Sequence, residues 1–570
     1  MEKIRLIIAN HYRIIFFALL IGFISSVPQY LGQPSRPGFQ GIYTGVVKDT
    51  IFYQARVKDV IDGYPFVANP YLYEHKSGAP MQFWIPDYIL AKPIQWLGIS
   101  VPQGYILWAF ILPFILAILS YSILLILTRS EKLSILGTLV LHMGFFALKF
   151  IRLPPHGLNF VFWLTALLFL LLFITKGEKK HAFGSALSFG MLFNIYPYYW
   201  TFYVVLFATF IFLSFIVRLQ GISYRKYLLI FIGGLAVGIP YFVSLYQSSQ
   251  LAGYSESISR LGVIHTHFPS GISTVIIGAA VALAFIWVYK RRVVALNPLS
   301  LFLFSGTLAA VIVMNQHLIT GKNAEFSSHY MVGNMFWFSF AFLYIITEWL
   351  KGRSGKIRKT AFILFCVFTA IISFRGGNKL INQQITYRES EPYLQNYRPV
   401  FEWLNENAKS DEVVYANEEI SAFIPIYTAQ NIFFTGYSIL FFMTNDEVES
   451  RFVINHYFDT FTDDYVRSSQ RSIFGGYYVN EYGHSLSKNK LRKLFGIEPV
   501  AYQLVPDHEV ERIQTLAEGI QKQDFEMVIK RYKADYLVWD SLKDPQWNVN
   551  DSDFLEQLFS DNGIFIYRIR

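Results

Sequence analysis

The sequence predicts an α-helical polytopic membrane protein that carries a separate α/β domain at its C-terminus. Three observations support this fold class. The 570 residues are 53% hydrophobic and only 16% charged, whereas soluble domains carry about 25% charged residues. Apolar runs long enough to cross a bilayer recur through the first 375 residues and then cease. The remaining residues are more polar and alternate between helical and strand-like patterns.

The apolar runs predict about eleven membrane-spanning helices, because a bilayer core needs about 20 apolar residues per helix. The predicted spans are 14–29, 103–127, 133–150, 157–175, 182–197, 200–217, 227–247, 271–289, 298–315, 331–350 and 360–375. An aromatic segment with the sequence YPYYW, residues 196–200, separates the fifth and sixth spans and is typical of a turn at the membrane interface. An odd number of spans places the two termini on opposite sides.

The basic residues predict the orientation, since lysine and arginine concentrate in the loops on the cytoplasmic side. The basic loops carry Lys3, Arg5 and Arg13; Arg129 and Lys132; Lys176, Lys179 and Lys180; Arg218, Arg225 and Lys226; Lys290, Arg291 and Arg292; and Lys351, Arg353, Lys356, Arg358 and Lys359. We therefore expect a multi-pass protein of the cell inner (plasma) membrane with a cytoplasmic N-terminus and an extracytoplasmic C-terminal domain. If the first apolar run were a cleaved signal peptide, ten spans would remain with the same sidedness.

The predicted domains are a membrane domain, residues 1–375, and a soluble domain, residues 376–570. The membrane domain includes a large extracytoplasmic first loop, residues 30–102, with surface helices. In the soluble domain the patterns predict helices at 393–409, 418–429 and 553–559 and strands at 413–415, 432–434, 535–539 and 563–567. The single cysteine, Cys366, excludes an internal disulfide and a cysteine metal site.

The net charge of +9 hides an asymmetry between the two domains. Residues 376–570 contain 19 basic and 29 acidic residues, and the first 375 residues contain 30 basic and 11 acidic residues. No zinc-finger or arginine-rich motif accompanies the basic half. The expected partner is therefore the lipid bilayer and not nucleic acid.

The first loop, which we call loop one, is too long for a simple connection. Residues 48–62 predict a helix on which Asp49, Tyr53 and Arg56 share one face, at positions i, i+4 and i+7. Residues 85–97, which include Asp87, predict a second short helix lying on the membrane surface.

Other loops on the same side supply further polar groups. They are Arg152 and His156 after the third span, Lys322 and His329 before the tenth span, and Glu74 and His75 in loop one itself. Carboxylates, cations and imidazoles therefore gather on one side of the membrane. A site for a phosphate-bearing lipid at the outer interface requires this combination.

At loop one the sequence resembles the GT-C superfamily of polytopic membrane glycosyltransferases, whose members carry an acidic residue in the first outside loop. The matching residues are Asp49, Tyr53, Gly63, Asn69-Pro70 and Glu74-His75, and later Asn315-Gln316, Thr320-Gly321 and His329-Tyr330 resemble bacterial members. The resemblance covers the whole chain in architecture and about fifty residues in motif. A paired acid is missing because Thr50 follows Asp49, and the Trp-Trp-Asp motif of oligosaccharyltransferases is absent. These departures leave open the metal requirement and the class of acceptor.

The resemblance implies transfer of a sugar from a polyprenyl-phosphate carrier to an extracytoplasmic glycan, lipid or protein. It implies Asp49 as the general base. It implies phosphate or substrate contacts from Arg56, Tyr53, Arg152, His156, Lys322 and His329. Glu74 and His75 are secondary candidates for acid or metal roles, and Asp87 is a secondary candidate for the base. No cofactor follows from the sequence apart from an optional divalent ion, Mg²⁺ or Mn²⁺.

Each functional interpretation has a structural alternative. Asp49 could cap the following helix, and Arg56 could pair with a neighbouring carboxylate. Two other functions also stay open. A transporter or flippase of a lipid-linked precursor predicts charged residues near the bilayer midplane and paired broken helices. A non-catalytic scaffold predicts that loop one packs beneath the C-terminal domain, with Asp49 buried in a salt bridge instead of lining an outside cavity.

Overall fold

The computed structural model describes residues 2–45, 49–79, 83–220, 222–323, 328–386, 391–547, 549 and 552–570. It confirms the predicted fold class. A bundle of apolar helices is followed by a C-terminal domain with a five-stranded sheet. The predicted start of the first loop-one helix at Lys48 lies outside the described residues.

The helices of the membrane domain follow one another with two small strands between them. They are α1 (Glu2–Gly32), α2 (Thr50–Ile61), α3 (Ile85–Leu97), α4 (Val101–Thr128), α5 (Glu131–Leu139), α6 (Ala147–Phe150), α7 (Leu158–Lys176), α8 (Lys179–Phe193), α9 (Pro197–Ile216), α10 (Tyr224–Val237), α11 (Ile239–Ser249), α12 (Tyr254–Arg260), β1 (Ile264–His265), α13 (Ile272–Lys290), α14 (Pro298–Met314), α15 (His317–Thr320), β2 (Lys322–Asn323), α16 (Ser328–Lys351) and α17 (Gly355–Ile385).

All eleven predicted membrane segments are helical, but they differ in their ability to cross a bilayer. Among the described residues, eight helices are long and apolar enough to span it, and the pair α10 and α11, which bends by 48°, counts as a ninth if it crosses as one span. The segment predicted at 133–150 consists of α5, a π-helical turn (Val140–Phe145) and α6. The segment predicted at 182–197 is α8, which has 15 residues. These two segments are too short by themselves to meet the same criterion.

Long apolar side chains and small residues pack the bundle together. Trp163 on α7 and Trp337 on α16 are fully buried, and the Trp337 ring lies against Gly306 of α14. A glycine at such a contact lets two membrane helices approach closely. The bundle core is therefore continuous from α4 through α16.

The C-terminal domain surrounds a mixed sheet with helices. Its elements are α18 (Glu391–Leu394), α19 (Arg398–Asn407), β3 (Val413–Ala416), α20 (Glu418–Ser421), α21 (Ile424–Tyr427), β4 (Asn431–Ile432), α22 (Asn445–Asn455), α23 (Asp463–Ser468), α24 (Gln470–Phe474), α25 (Tyr477–Leu494), α26 (Asp507–Gln521), α27 (Phe525–Ile529), β5 (Tyr536–Asp540), β6 (Leu555–Asp561) and β7 (Ile564–Ile569). The strand order is β4-β3-β5-β7-β6, with β4, β3 and β5 parallel and the last two strands antiparallel.

The helix predicted at 553–559 is wrong, because residues 553 and 554 form a turn and residues 555–559 belong to strand β6, which pairs with β7. The turn between the two strands contains Asn562 and Gly563, both with positive φ. An Asn-Gly pair of this kind is the strongest short-range signal for a β-hairpin. The Asn-Gly turn therefore determines the structure of this segment, although the apolar residues before it have a spacing typical of a helix.

Loop one packs directly on the C-terminal domain. The backbone of Tyr71 accepts a hydrogen bond from Ile432 of β4 (2.9 Å), and Asn69 donates one to the carbonyl of Ser438 (3.2 Å). Loop one thus covers the sheet edge formed by β4, which would otherwise expose unpaired backbone groups. The contact places the C-terminal domain over the part of loop one that contains α2.

Candidate functional site

Asp49 and Arg152 form an ion pair that joins loop one to the loop between α6 and α7. The Arg152 Nε donates a hydrogen bond to Oδ2 of Asp49 at 2.7 Å, and one terminal nitrogen of the guanidinium contacts the same oxygen. The second carboxylate oxygen, Oδ1, is buried and has no hydrogen-bond partner among the described residues. Asp49 therefore lies in a salt bridge, as the scaffold alternative predicts, but its side chain retains 27% exposure and is partly open to solvent, so it is not the buried pair of that alternative.

Asp49 occupies the position directly before the first residue of α2, where an aspartate often caps the helix. Asp49 is the residue before the helix, but its side chain makes no capping hydrogen bond to the helix backbone. The carboxylate is turned toward Arg152 instead, so helix capping does not account for this residue. The loop of Arg152 is a tight turn in which the backbone amides of His156 and Gly157 both donate to the Arg152 carbonyl.

Arg56 and Asp87 form a second ion pair beside the first. Arg56 is 1% exposed and Asp87 is fully buried, and Arg56 Nε lies 3.2 Å from Oδ2 of Asp87. This pair ties α2 to α3. Arg56 therefore has a carboxylate partner inside the protein, as the structural alternative predicted.

Tyr53 lies between the two ion pairs. Burial raises the pKa of its hydroxyl well above the usual range, and the negative charge of Asp49 raises it further. The positive charges of Arg152 and Arg56 oppose this change. Tyr53 is thus a neutral hydrogen-bonding group at the centre of four charged side chains.

His156 and His329 meet next to Arg152, with their ring centres 5.5 Å apart. Burial lowers the pKa of His156 to about 3, and the charges of Arg152 and Lys149 act in the same direction. His156 is therefore a neutral imidazole near pH 7. Its Nδ1 lies 3.4 Å from the hydroxyl of Tyr199, and Nδ1 of His329 bonds to the hydroxyl of Tyr196.

The C-terminal domain contributes Tyr437, a residue that the sequence analysis did not identify. Its ring centre lies 6.0 Å from that of Phe52 on α2. Burial raises the pKa of Tyr437, and the negative charge of Asp49 is the next cause. No local pattern marks Tyr437, because its position depends on the docking of the two domains.

The other predicted site residues lie elsewhere. Lys322 is exposed on β2, which pairs with β1 and brings it opposite His265. Glu74 and His75 contact the C-terminal domain, where Glu74 pairs with Arg451 (2.8 Å) and His75 with Glu447 (2.9 Å). The structure therefore brings Asp49, Tyr53, Arg152, His156 and His329 together, with Arg56 and Asp87 alongside.

In the part of the chain that the structure describes, the acidic and histidine side chains of this region do not form a set of metal ligands. Across the described ranges, no group of three or more His, Cys, Asp or Glu residues converges in a way that could hold a metal ion. Asp49 and Glu74 each have an ionic partner in the protein, and the His75 ring hydrogen-bonds to Glu447. The Mg²⁺ or Mn²⁺ expectation thus finds no ligand set there.

Comparison with known proteins gave no match to a family model and none to a curated protein. Among solved structures, the chain is similar to the archaeal oligosaccharyltransferase AglB from Archaeoglobus fulgidus in complex with an inhibitory peptide and a dolichol-phosphate. The identity is 13%, the TM-score is 0.49, and the match covers 98% of this chain and 74% of that chain. An Archaeoglobus fulgidus oligosaccharyltransferase in complex with Zn and sulfate is similar at 12% identity and a TM-score of 0.44, over 97% and 72% of the two chains. Identities and TM-scores this low establish neither membership of their family nor a shared activity.

Proposed function

We propose that this chain is a glycosyltransferase that moves a sugar from a polyprenyl-phosphate-linked donor to an acceptor on the extracytoplasmic side of the cell inner membrane. The meeting of Asp49 and Arg152 carries the proposal. Two separate loops bring a carboxylate and a guanidinium together beneath the C-terminal domain, and one carboxylate oxygen is buried without a partner among the described residues. Buried acceptors without partners are uncommon and call for an explanation. The hydroxyl of a sugar acceptor is a fitting partner.

Asp49 is the general base of the proposed reaction. Its carboxylate accepts the proton of the acceptor hydroxyl while the acceptor oxygen forms a bond to the anomeric carbon. The bond between that carbon and the phosphate oxygen breaks, and its electron pair leaves with the polyprenyl phosphate. The transition state carries positive character on the sugar, which a nearby carboxylate also stabilises.

Arg152 is the proposed partner of the leaving phosphate. A guanidinium donates two parallel hydrogen bonds to a phosphate more effectively than a single ammonium does. In the structure, the Arg152 guanidinium donates these hydrogen bonds to Asp49. A bound phosphate would compete for Arg152 and release Oδ2 of Asp49, so that donor binding would prepare the base.

The remaining residues of the cluster have supporting roles in this proposal. His156 and His329 flank Arg152 as buried neutral imidazoles, so they shape the phosphate side of the site without adding charge to it. Tyr53 contacts the substrate between the two ion pairs. Arg56 and Asp87 hold α2 against α3 and so position Asp49. Lys322 takes no part in this proposal, because it lies on β2 opposite His265.

Consumption of the donor tests the proposal. Purified protein in lipid nanodiscs is given polyprenyl-phosphate sugars and a crude envelope extract as acceptor, and the release of free polyprenyl phosphate is followed over time. We expect release by the wild type and a loss of about a hundredfold or more in Asp49→Asn, the range for removal of a general base. The matched control is Asp62→Asn, at the other end of α2, where Asp62 pairs with Lys58. It should leave the rate unchanged.

Equal rates in the wild type and Asp49→Asn would assign the base to another residue. An absence of release from every donor would instead favour a transporter or a scaffold. Two irregularities favour a transporter, because the bend between α10 and α11 and the π-helical turn before α6 are of the kind that line substrate paths. A transporter would move a fluorescent donor across the bilayer of a vesicle and leave it intact.

A further inference from the structure

An apolar groove opens at the end of the bundle where α9 and α13 end and α14 begins. Its volume is about 530 Å³, within the range of about 300–1,000 Å³ for ligand sites. Its wall includes Leu213, Val217, Ile286, Leu296, Phe304 and Arg292.

The groove lies at the opposite end of the bundle from the C-terminal domain. α13 starts next to that domain, since Thr266, just before this helix, hydrogen-bonds to His484 of α25 (2.8 Å). The C-terminal end of α13, at Lys290, is therefore distant from the domain. Because α9, α13 and α14 are all long and apolar enough to span a membrane, the groove faces lipid at the level of one membrane surface.

The apolar wall of the groove is open toward the bilayer. Val217 is 38% exposed, Ile286 is 39% exposed and Leu296 is 47% exposed. Ile286 lies on the spanning helix α13, Val217 directly follows α9 and Leu296 lies just before α14, so these apolar side chains lie at the level that acyl chains reach. An acyl chain can therefore enter the groove from the side, without crossing water.

Two arginines stand at the polar end of the groove. Arg292 lines it directly, and Arg218 follows the lining residue Val217. Both arginines have left-handed backbone conformations, with φ of 55° and 50°, at the ends of α13 and α9. Both are exposed, and neither forms an ion pair with any residue that the structure describes.

The local sequence contains no acid that could neutralise these arginines. Residues 179–255 and 257–324 include neither aspartate nor glutamate, while Lys290 and Arg291 add to the positive charge. Basic pockets between membrane helices attract anionic lipid head groups, and each arginine near an anionic surface contributes about 1 kcal/mol, or about fivefold in affinity.

We propose that this groove is a binding site for an anionic phospholipid, with one acyl chain along the apolar wall and the phosphate between Arg292 and Arg218. The apolar wall explains why the ligand is a lipid and not a soluble anion. The uncompensated charge explains why the lipid is anionic. The site stands apart from the proposed transferase site, so neither depends on the other.

Binding to purified full-length protein tests this site. Lipid binding to detergent-solubilised protein is measured by native mass spectrometry with phosphatidylglycerol, with phosphatidylethanolamine and with polyprenyl phosphate. We expect a preference for phosphatidylglycerol that falls by about twentyfold in the double variant Arg218→Gln/Arg292→Gln, since each charge contributes about fivefold. The control, Lys356→Gln/Arg358→Gln, removes two exposed cations at the start of α17 and should change the affinity by less than about twofold.

A third variant tests the contribution of the apolar groove independently of the contribution of the arginine charges. Ala295→Trp places a large ring in the groove, because Ala295 is one of its lining residues. It should reduce binding of phosphatidylglycerol while all the arginines remain. If the double variant and the control lost equal affinity for phosphatidylglycerol, the binding would depend only on general surface charge, and the proposal would be overturned. Stronger binding of polyprenyl phosphate than of phosphatidylglycerol would also overturn it.

Discussion

Arg451 Nη2 lies 2.8 Å from Oε2 of Glu74, and this ion pair joins the C-terminal domain to loop one. Arg451 is fully buried and also bonds to Glu447 (2.9 Å) and to the carbonyl of Phe433 (3.1 Å). Its guanidinium stacks on Tyr532 at 3.8 Å from the ring centre. One arginine of α22 thus connects loop one to the segment that follows β4, and it helps to hold the C-terminal domain above Asp49.

We predict that Glu74→Gln loosens this junction. The substitution leaves the buried charge of Arg451 with one carboxylate partner instead of two. We expect a loss of about 1–2 kcal/mol, because Glu74 is about one-third exposed and water screens part of the interaction. Thermal unfolding and the rate of proteolysis within loop one are the measurements. Glu406→Gln, an exposed position on α19, is the control and should change neither.

The pair of Asp49 and Arg152 leads to a second prediction. If Arg152 stabilises the leaving phosphate, Arg152→Gln should lower kcat by about 10²–10³, the usual effect of removing one donor to a developing anion. The kcat of Arg152→Lys should lie between those of the wild type and Arg152→Gln, since lysine keeps the charge but loses the paired hydrogen-bond donors. Steady-state kinetics with varied donor concentration separate kcat from KM. Arg467→Gln is the control, because Arg467 has an exposure similar to that of Arg152 and also pairs with an aspartate, Asp507.

A double variant decides how Arg152 acts. Should Arg152 only position Asp49, Asp49→Asn/Arg152→Gln would be no slower than Asp49→Asn alone. A further loss in the double variant shows that Arg152 contributes separately, as expected for a phosphate partner. Equal kcat values in Asp49→Asn and in the double variant would contradict a role of Arg152 at the phosphate.

Local sequence patterns predicted the elements of loop one well. The helix expected at 48–62 is α2, Thr50–Ile61, and the helix expected at 85–97 is α3, Ile85–Leu97. Both follow from side-chain periodicity, which depends on near neighbours along the chain. The membrane spans follow from apolar length for the same reason.

The contacts within the candidate site could not be predicted in this way. Asp49 and Arg152 are 103 residues apart and meet only after α2 and the bundle have packed. The pairing of Arg56 with Asp87, 31 residues away, depends in the same way on the docking of α3. The sequence identifies each of these charges as a candidate, but tertiary packing decides which ones form pairs.

A third prediction concerns Asp59, a buried residue of α2 that is 2% exposed and lies 2.9 Å from Lys76. Burial raises the pKa of its carboxyl from 3.8 to about 6, although Lys76 opposes the change. The folded protein therefore holds this proton more tightly than the unfolded chain does. The resulting contribution to stability is present below about pH 4 and is lost as the pH rises to about 6, and it amounts to about 3 kcal/mol.

Asp59→Asn removes this titration. The difference in melting temperature between the variant and the wild type should shift in favour of the variant as the pH rises from about 4 to about 6, and then stay constant. Thermal unfolding across this range is the measurement. Asp62→Asn, at the partly exposed end of the same helix, is the control. A difference for Asp59→Asn that does not change with pH would show that this carboxyl has an ordinary pKa.

The last prediction concerns the hairpin of β6 and β7. Gly563 has φ of +82°, and a Cβ at this position would also lie 3.1 Å from Leu542. Gly563→Ala should destabilise the hairpin by about 1–2 kcal/mol, because an L-residue is strained in this conformation. Hydrogen exchange of the full-length protein should then show faster exchange of the amides in 555–569. Gly519→Ala, a helical glycine of α26 with open space around it, should leave their exchange unchanged. Unchanged exchange in Gly563→Ala would mean that cross-strand pairing, and not the Asn-Gly turn, fixes β6 as a strand.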